Sequence, residues 1–284
     1  MPSTAGKSRI PFNAFSLNDA GQVVGSTHQH PAEGQRAMRW AAATGPQDVG
    51  PGSVSDVNNR GDMVGWSYSD DYVPWRQPAG GTRETLRLPD AERGAAEAIN
   101  ENGAAVGFHP SGPRLEYWAP GQATSQRLDT GRTQTYAFDI NGRGQITGQA
   151  QDYKAYLYTP GEGMLSLDEL KDRDTWAHAL NDAGHVVGRA TDDLDTDRGL
   201  AFLWTPELGM RDLNKLVDTS AAGWTLNDAW AINEAGQIVG FGQYGGEHTR
   251  VPFLLTPVPE PGGAVAACLA AVALLGRRRR VRPR

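Results

Sequence analysis

The chain has one cysteine, Cys268, among its 284 residues, which excludes a disulfide framework and any cysteine-built metal cluster. It also lacks a G-x-S-x-G elbow, an H-E-x-x-H helix and paired-cysteine ligands, so the common hydrolase and zinc signatures are missing. Ala5-Gly6-Lys7-Ser8 has the tail of a phosphate loop, but Met1 stands where the first glycine belongs and no strand precedes it. Aliphatic and aromatic residues make up only 39%, and 35 Gly with 18 Pro favour turns over long helices. Basic charge is scarce outside the tail. Lys and Arg number 27 against 33 Asp and Glu, and six of the Arg fall in the last eight residues. A body that acidic repels phosphate backbones, so no nucleic-acid partner is expected.

What the chain does have is an internal repeat. A ten-residue segment occurs six times, starting at Ser16, Asp56, Ala98, Asp139, Ala179 and Ala231, as in SLNDAGQVVG and AINEAGQIVG. Its asparagine and first glycine are Asn18 and Gly21, Asn58 and Gly61, Asn100 and Gly103, Asn141 and Gly144, Asn181 and Gly184, Asn233 and Gly236. Spaced three apart, they fit the first and fourth positions of a type I turn. There the Asn side chain bonds the backbone two residues on and Gly takes positive φ, which suits a hairpin closed by a glycine bulge. The second glycine of each copy (Gly25, Gly65, Gly107, Gly148, Gly188, Gly240) lies in strand territory. Glycine is costly there unless a backbone passes close, so it is expected at a crowded axis.

An aromatic strand follows each copy, ending at Trp40, Trp75, Trp118, Tyr158 and Trp204, and at Leu255 in the last; a leucine strand then follows in five of the six. Trp40, Trp75, Trp118 and Trp204 read as packing between repeats. About forty residues and four short strands per period match a propeller blade; a sandwich or a solenoid is the alternative. The expected fold class is therefore all-β: a β-propeller of six blades, each of four short antiparallel strands, spanning 13–257, with an N-terminal arm over 1–12. The sixth blade lacks an evident fourth strand, and residues 7–12 are the candidates to supply it.

The copies, typified by INEAGQIVG and AFLWTPELGMRDL, resemble the HAF-repeat family of exported bacterial proteins, a likeness covering roughly 12–257. The resemblance implies a propeller architecture and a cell-surface or extracellular location, with no defined reaction. Val258, Pro259, Glu260 and Pro261, a stretch over 262–276 that is uncharged from Ala264 to Leu275, and the Arg-rich tail 277–284 resemble a PEP-CTERM sorting signal. That implies an exosortase-type processing enzyme as partner. It also implies a transient membrane anchor through a C-terminal apolar helix, with the basic tail held in the cytoplasm. The run is short for a full span, which needs about 20 residues. Met1 to Ile10 is polar, without the apolar run of a secretory leader. The expectation is that upstream codons encode a signal peptide and a first strand.

No cofactor is expected from the motifs. The one candidate ligand or metal sector joins the longer insertions of the first, fifth and sixth repeats: His28, His30, Asp192, Asp193, Asp195, Asp197, Glu247 and His248, with Trp224 and Tyr244 beside them. Alternating carboxylates suit calcium, although Arg198 and Trp204 stand where a calcium loop needs Gly and Glu. The connection from Asn214 to Asn227 is expected to join that loop cluster. A catalytic propeller would show charged residues breaking the repeat columns, whereas these columns hold Gly, Val and Asn. The expected function is a non-catalytic, surface-sorted binding or structural module for envelope or matrix polysaccharide or protein. The alternative is a propeller hydrolase or lyase acting on extracellular polysaccharide.

Overall fold

The computed structural model describes residues 12–258, apart from gaps at 28–33, 69–71, 90–92, 110–111, 113, 133, 168–169, 171–172, 192–198, 218–222 and 247–248, and then residues 269–272. Each repeat closes as the turn chemistry requires. In all six copies the glycine N–H donates to the Asn carbonyl at 2.9–3.0 Å, and the Asn N–H donates to the carbonyl four residues on. The turn glycines have φ between +71° and +85°, which a side chain would strain. The Asn Oδ1 accepts the N–H two residues on, as from Arg60 to Asn58 at 3.1 Å. It also accepts the one four residues on, as from Gln22 to Asn18 at 3.0 Å.

That hairpin opens every sheet, and the aromatic and leucine strands complete it. The chain divides into two compact units, Met1–Asp129 and Thr130–Arg284. The first holds three four-stranded sheets. These are β1 (Phe12–Leu17), β2 (Val23–Thr27), β3 (Arg36–Ala41) and β4 (Gly45–Pro51); β5 (Ser53–Val57), β6 (Met63–Tyr68), β7 (Tyr72–Gln77) and β8 (Glu84–Thr85); and β9 (Ala95–Ile99), β10 (Ala105–Phe108), β11 (Leu115–Trp118) and β12 (Gln126–Arg127). The second unit holds three more. They are β13 (Thr135–Ile140), β14 (Ile146–Ala150), β15 (Ala155–Thr159) and β16 (Gly163–Ser166); β17 (Asp174–Leu180), β18 (Val186–Thr191), β19 (Leu200–Thr205) and β20 (Gly209–Asp212), followed by a one-turn helix α1 (Leu213–Leu216); and β21 (Trp224–Ile232), β22 (Ile238–Tyr244), β23 (Val251–Pro257) and β24 (Leu269–Val272). Neighbours in sequence are neighbours in each sheet, and every pair is antiparallel, as in β1–β2 and β19–β20.

The repeat asparagine also ties successive sheets together. Asn18 Nδ2 donates to the Asn58 carbonyl at 2.9 Å, and Asn58 Nδ2 to the Asn100 carbonyl at 3.0 Å. In the second unit Asn141 donates to Asn181 at 3.0 Å and Asn181 to Asn233 at 3.2 Å. The residue after the Asn adds a second line of links in four copies: the Asn59 N–H, for example, donates to Glu101, and the Asp182 N–H to Glu234, both at 3.0 Å. The amide side chain thus shapes its own turn and registers the next.

Between sheets the core is apolar and aromatic. In the first unit Trp75 packs with Val24, Val54 and Met63, and Trp118 with Val64, Leu86 and Leu88. In the second, Phe202 and Trp204 pack with Leu157 and Val186, and Phe253 with Leu203 and Leu226. The tryptophans read as packing residues accordingly bury, Trp40 only partly. Their register needs one correction. Trp40, Trp118 and Trp204 pair with Val23, Ala105 and Val186, whereas Trp75 pairs with Gly65, two places earlier in its strand.

The second glycine of each copy needs another. A backbone does pass close, but it belongs to the adjacent strand rather than to an axis. A Cβ on Gly188 would lie 1.8 Å from the Trp176 carbonyl oxygen and 2.9 Å from the Phe202 ring. The first strand bulges toward it at this point, and the large side chain of the third strand lies over it.

The C-terminal segment differs from expectation as well. Of the expected apolar helix over 262–276, only Leu269–Val272 is described, and those residues form strand β24, paired with β23 through Leu255↔Val272 and Pro257↔Leu269. A short run rich in Ala, Leu and Val satisfies the unpaired edge of β23, so the fourth strand of the sixth sheet comes from the C-terminal side. Residues 7–11 lie outside the described residues, and Phe12 opens β1. Among the described residues no helix is long and apolar enough to cross a membrane.

Candidate functional site

Just before the repeat copy, the first strand of every sheet carries one residue more than its partner accommodates, and β21 has a second such break between Leu226 and Asp228. The register breaks between Ala14 and Ser16, Val54 and Asp56, Ala137 and Asp139, Ala177 and Ala179, and Ala229 and Ala231, and opposite Val106/Gly107 in the third sheet. A β-bulge of this kind re-aims the extra side chain out of the ladder. The residues so displayed are Phe15, Ser55, Glu97, Phe138, His178 and Trp230, each immediately before a repeat copy. Phe15 and Trp230 are 55% and 51% exposed, unusual for large apolar side chains in strands.

In the second unit three of these side chains form a row. The His178 ring stacks on Trp230 with centroids 5.1 Å apart and planes 13° from parallel, and Phe138 lies 6.2 Å from His178 on its other side. Trp230 meets Phe241 edge-on at 6.3 Å, and the Arg250 guanidinium lies 4.9 Å from the Phe241 ring. Behind the row is Asp228, only 1% exposed. Its Oδ1 is 3.1 Å from His178 Nε2 and its Oδ2 is 3.9 Å from Arg189. Neither contact is a hydrogen bond, and both carboxyl oxygens and His178 Nε2 remain without a hydrogen-bond partner among the described residues. Arg189 in turn lies 4.5 Å from the centroid of Trp176. The row exposes part of the Trp230 indole, with the buried Asp228 behind it.

In the first unit the bulge residue Glu97 lines a cleft of about 290 Å³ together with Trp66, Tyr72, Gly94, Ala95 and Phe108. Burial, with the Asp56 charge second, pushes the Glu97 carboxyl up to about 7. Burial also raises Asp56, although Ser16 and the N–H groups of Ile99 and Val57 donate to it at 2.5, 2.9 and 2.8 Å. Asp139 repeats that bridge in the second unit, accepting from Ile140 at 2.8 Å and Leu180 at 2.9 Å.

The sequence-derived ligand sector is not brought together here. His28, His30, Asp192, Asp193, Asp195, Asp197, Glu247 and His248 lie outside the described residues, as do Pro259, Glu260 and Pro261; Val258 is described and exposed. Trp224 and Tyr244 are not loop residues: they pair directly across β21 and β22, with rings 5.3 Å apart, and Trp224 belongs to the core. The connection from Asn214 to Asn227 is likewise shorter than expected, because α1 and β21 occupy its ends. The Asn214 side chain reaches Leu226, accepting from its N–H at 2.7 Å and donating to its carbonyl at 2.9 Å. Among the described residues no group of three or more His, Cys, Asp or Glu could hold a metal ion. The bulge column is hard to read in the sequence because the constant positions define the repeat, whereas the bulge residue varies from copy to copy. Its signal is the one column of the repeat whose chemistry changes in nearly every copy.

No protein-family model matches the chain, and no curated protein does. Solved structures do. TolB from Acinetobacter baumannii aligns over 70% of this chain and 52% of its own, at 12% identity and a TM-score of 0.51. Acylaminoacyl peptidase from Pyrococcus horikoshii aligns over 87% and 45%, at 11% identity and a TM-score of 0.56. A putative TolB from Agrobacterium tumefaciens aligns over 71% and 79%, at 13% and 0.50. This chain spans about half the length of the first two. Likeness at such identities concerns the fold, and the fold is that of a β-propeller with six four-stranded blades.

Proposed function

We propose that this β-propeller is a non-catalytic binding module for polysaccharide of the cell envelope or extracellular matrix. The observation that carries the reading is the row Phe138, His178 and Trp230, with its near-parallel imidazole and half-exposed indole. The exposed part of the Trp230 indole, braced by the His178 ring stacked on it, suits the apolar face of a sugar ring. Delivery to the surface rests on the resemblance of 258–284 to a PEP-CTERM signal, which makes an exosortase-type enzyme the processing partner.

The experiment is calorimetric titration of the full chain with soluble glucan, chitin-type and uronic-acid oligosaccharides. Trp230→Ala should abolish binding while leaving the melting temperature within about a few degrees. Equal binding by Trp230→Ala, or no binding to any of the three sugar classes, removes the reading.

A second reading, a hydrolase or lyase acting on extracellular polysaccharide, draws on the proximity of a carboxyl and an imidazole, with Asp228 Oδ1 3.1 Å from His178 Nε2. New reducing ends or unsaturated products that disappear in His178→Ala would favour it over simple binding.

A further inference from the structure

The first unit holds a cleft whose reading does not depend on the one above. The cleft around Glu97 measures about 290 Å³, near the lower end of small-molecule sites, roughly 300–1,000 Å³. Its walls are largely apolar. The Trp66 and Tyr72 rings lie 4.9 Å apart, tilted by 57°, with Phe108 among the other lining residues. Among the described residues of that lining, Glu97 is the one charged side chain. Burial first and the neighbouring Asp56 charge second raise its carboxyl.

Among the described residues, the groups packed around β9 give that carboxyl no countercharge. Asp56 on β5 adds negative charge, its own oxygens being taken by Ser16, Val57 and Ile99. On β7, Tyr72 lines the cleft, while the Arg76 guanidinium is engaged by Glu84 at 2.6 Å and by the carbonyls of Gly103 and Gln122 at 3.4 Å. Neither β6, which ends in Tyr68, nor β10, which His109 follows, carries a carboxyl, imidazole or amine.

A carboxyl without a countercharge, set among aromatic walls, is matched by one ligand chemistry. The negative faces of indole and phenol rings attract an organic cation, and the carboxylate supplies its countercharge. A hydrated inorganic ion gains little from apolar walls, and a neutral apolar ligand leaves the carboxyl unpaired. We propose that this cleft binds a small organic ammonium ion of the size class of choline, with its charged nitrogen held between the Trp66 and Tyr72 rings and the Glu97 carboxylate.

The test titrates choline and its neutral isostere 3,3-dimethylbutan-1-ol into the full chain at about pH 8.5 and about pH 5.5. Choline should bind saturably at the higher pH, about ten-fold or more tighter than the alcohol. It should weaken about ten-fold at the lower pH, where Glu97 takes up its proton, while the alcohol should show no such change. Glu97→Gln should erase the preference for the cation. Should that variant fail to fold, Tyr72→Ala, at an exposed position, should weaken choline, and the pH profile of the unaltered chain still decides. Equal affinity for choline and the alcohol, absence of saturable choline binding, or pH-independent choline binding overturns the proposal.

Discussion

His178 and Trp230 hold equivalent positions in neighbouring sheets, and their rings stack at 5.1 Å because both occupy the extra residue of a bulged first strand. Ladder residues of those strands enter the core or the sheet surface. The bulge turns these two side chains of different sheets face to face.

Trp230 and Trp118 should therefore respond oppositely to truncation. Trp118 is fully buried and donates its indole N–H to the Arg87 carbonyl at 3.1 Å, so Trp118→Ala should cost about 3–5 kcal/mol. Trp230→Ala, at a half-exposed site, should cost under about 1 kcal/mol. Urea unfolding of the two variants checks the contrast.

Asn58 serves its own turn and the next sheet at once, accepting from Arg60 and Asp62 and donating to Asn100. Asn58→Ala leaves buried backbone groups unsatisfied and should cost about 2–4 kcal/mol. Asn58→Asp keeps the acceptor but faces the Asn100 carbonyl without a donor, so it should fall between Ala and the unaltered chain. The ordering of the three melting temperatures tests the double role.

Glycine should prove indispensable for different reasons in its two columns. A Cβ at Gly188 meets the Trp176 carbonyl at 1.8 Å, whereas one at Gly21 meets nothing within 4 Å and faces only a φ of +71°. Gly21→Ala should cost about 1 kcal/mol. Gly188→Ala should prevent the fifth sheet from closing, seen as loss of soluble, cooperatively unfolding protein.

Glu97 makes stability depend on pH with a definite sign. Its folded-state carboxyl is raised from 4.5 to about 7. The unfolded chain therefore gives up its proton first, and stability present below about pH 4.5 is lost as pH rises through about 7. Glu97→Gln lacks this ionisation. It should match the unaltered chain near pH 4.5 and exceed it by about 1 kcal/mol or more near pH 8.5. Melting temperatures of the two proteins across that interval give the comparison.

The turn chemistry was legible residue by residue, because Asn58 and Gly61 act through contacts within five positions of chain. Blade count and strand order followed from copy number for the same reason. The partner of Gly188 was not legible, since its crowding comes from a bulge at His178 that adds a residue without changing the repeat's spacing. Nor was the register of Trp75, which depends on pairing across β6 and β7 rather than on distance from Asn58. Likewise, nothing local marks Leu269–Val272 as the missing strand, because its apolar run serves a strand edge as readily as a helix.

The same bulge accepts a phenyl ring at Phe15 and Phe138, a hydroxyl at Ser55, a carboxyl at Glu97, an imidazole at His178 and an indole at Trp230. Packing and turn formation are assigned to the glycine and asparagine columns, so the backbone there is indifferent to what it displays. The repeat thus works like type in a composing frame: the body of each piece is cast to one gauge, and only its printing face differs. New specificities can be set by exchanging six letters while the frame stays locked.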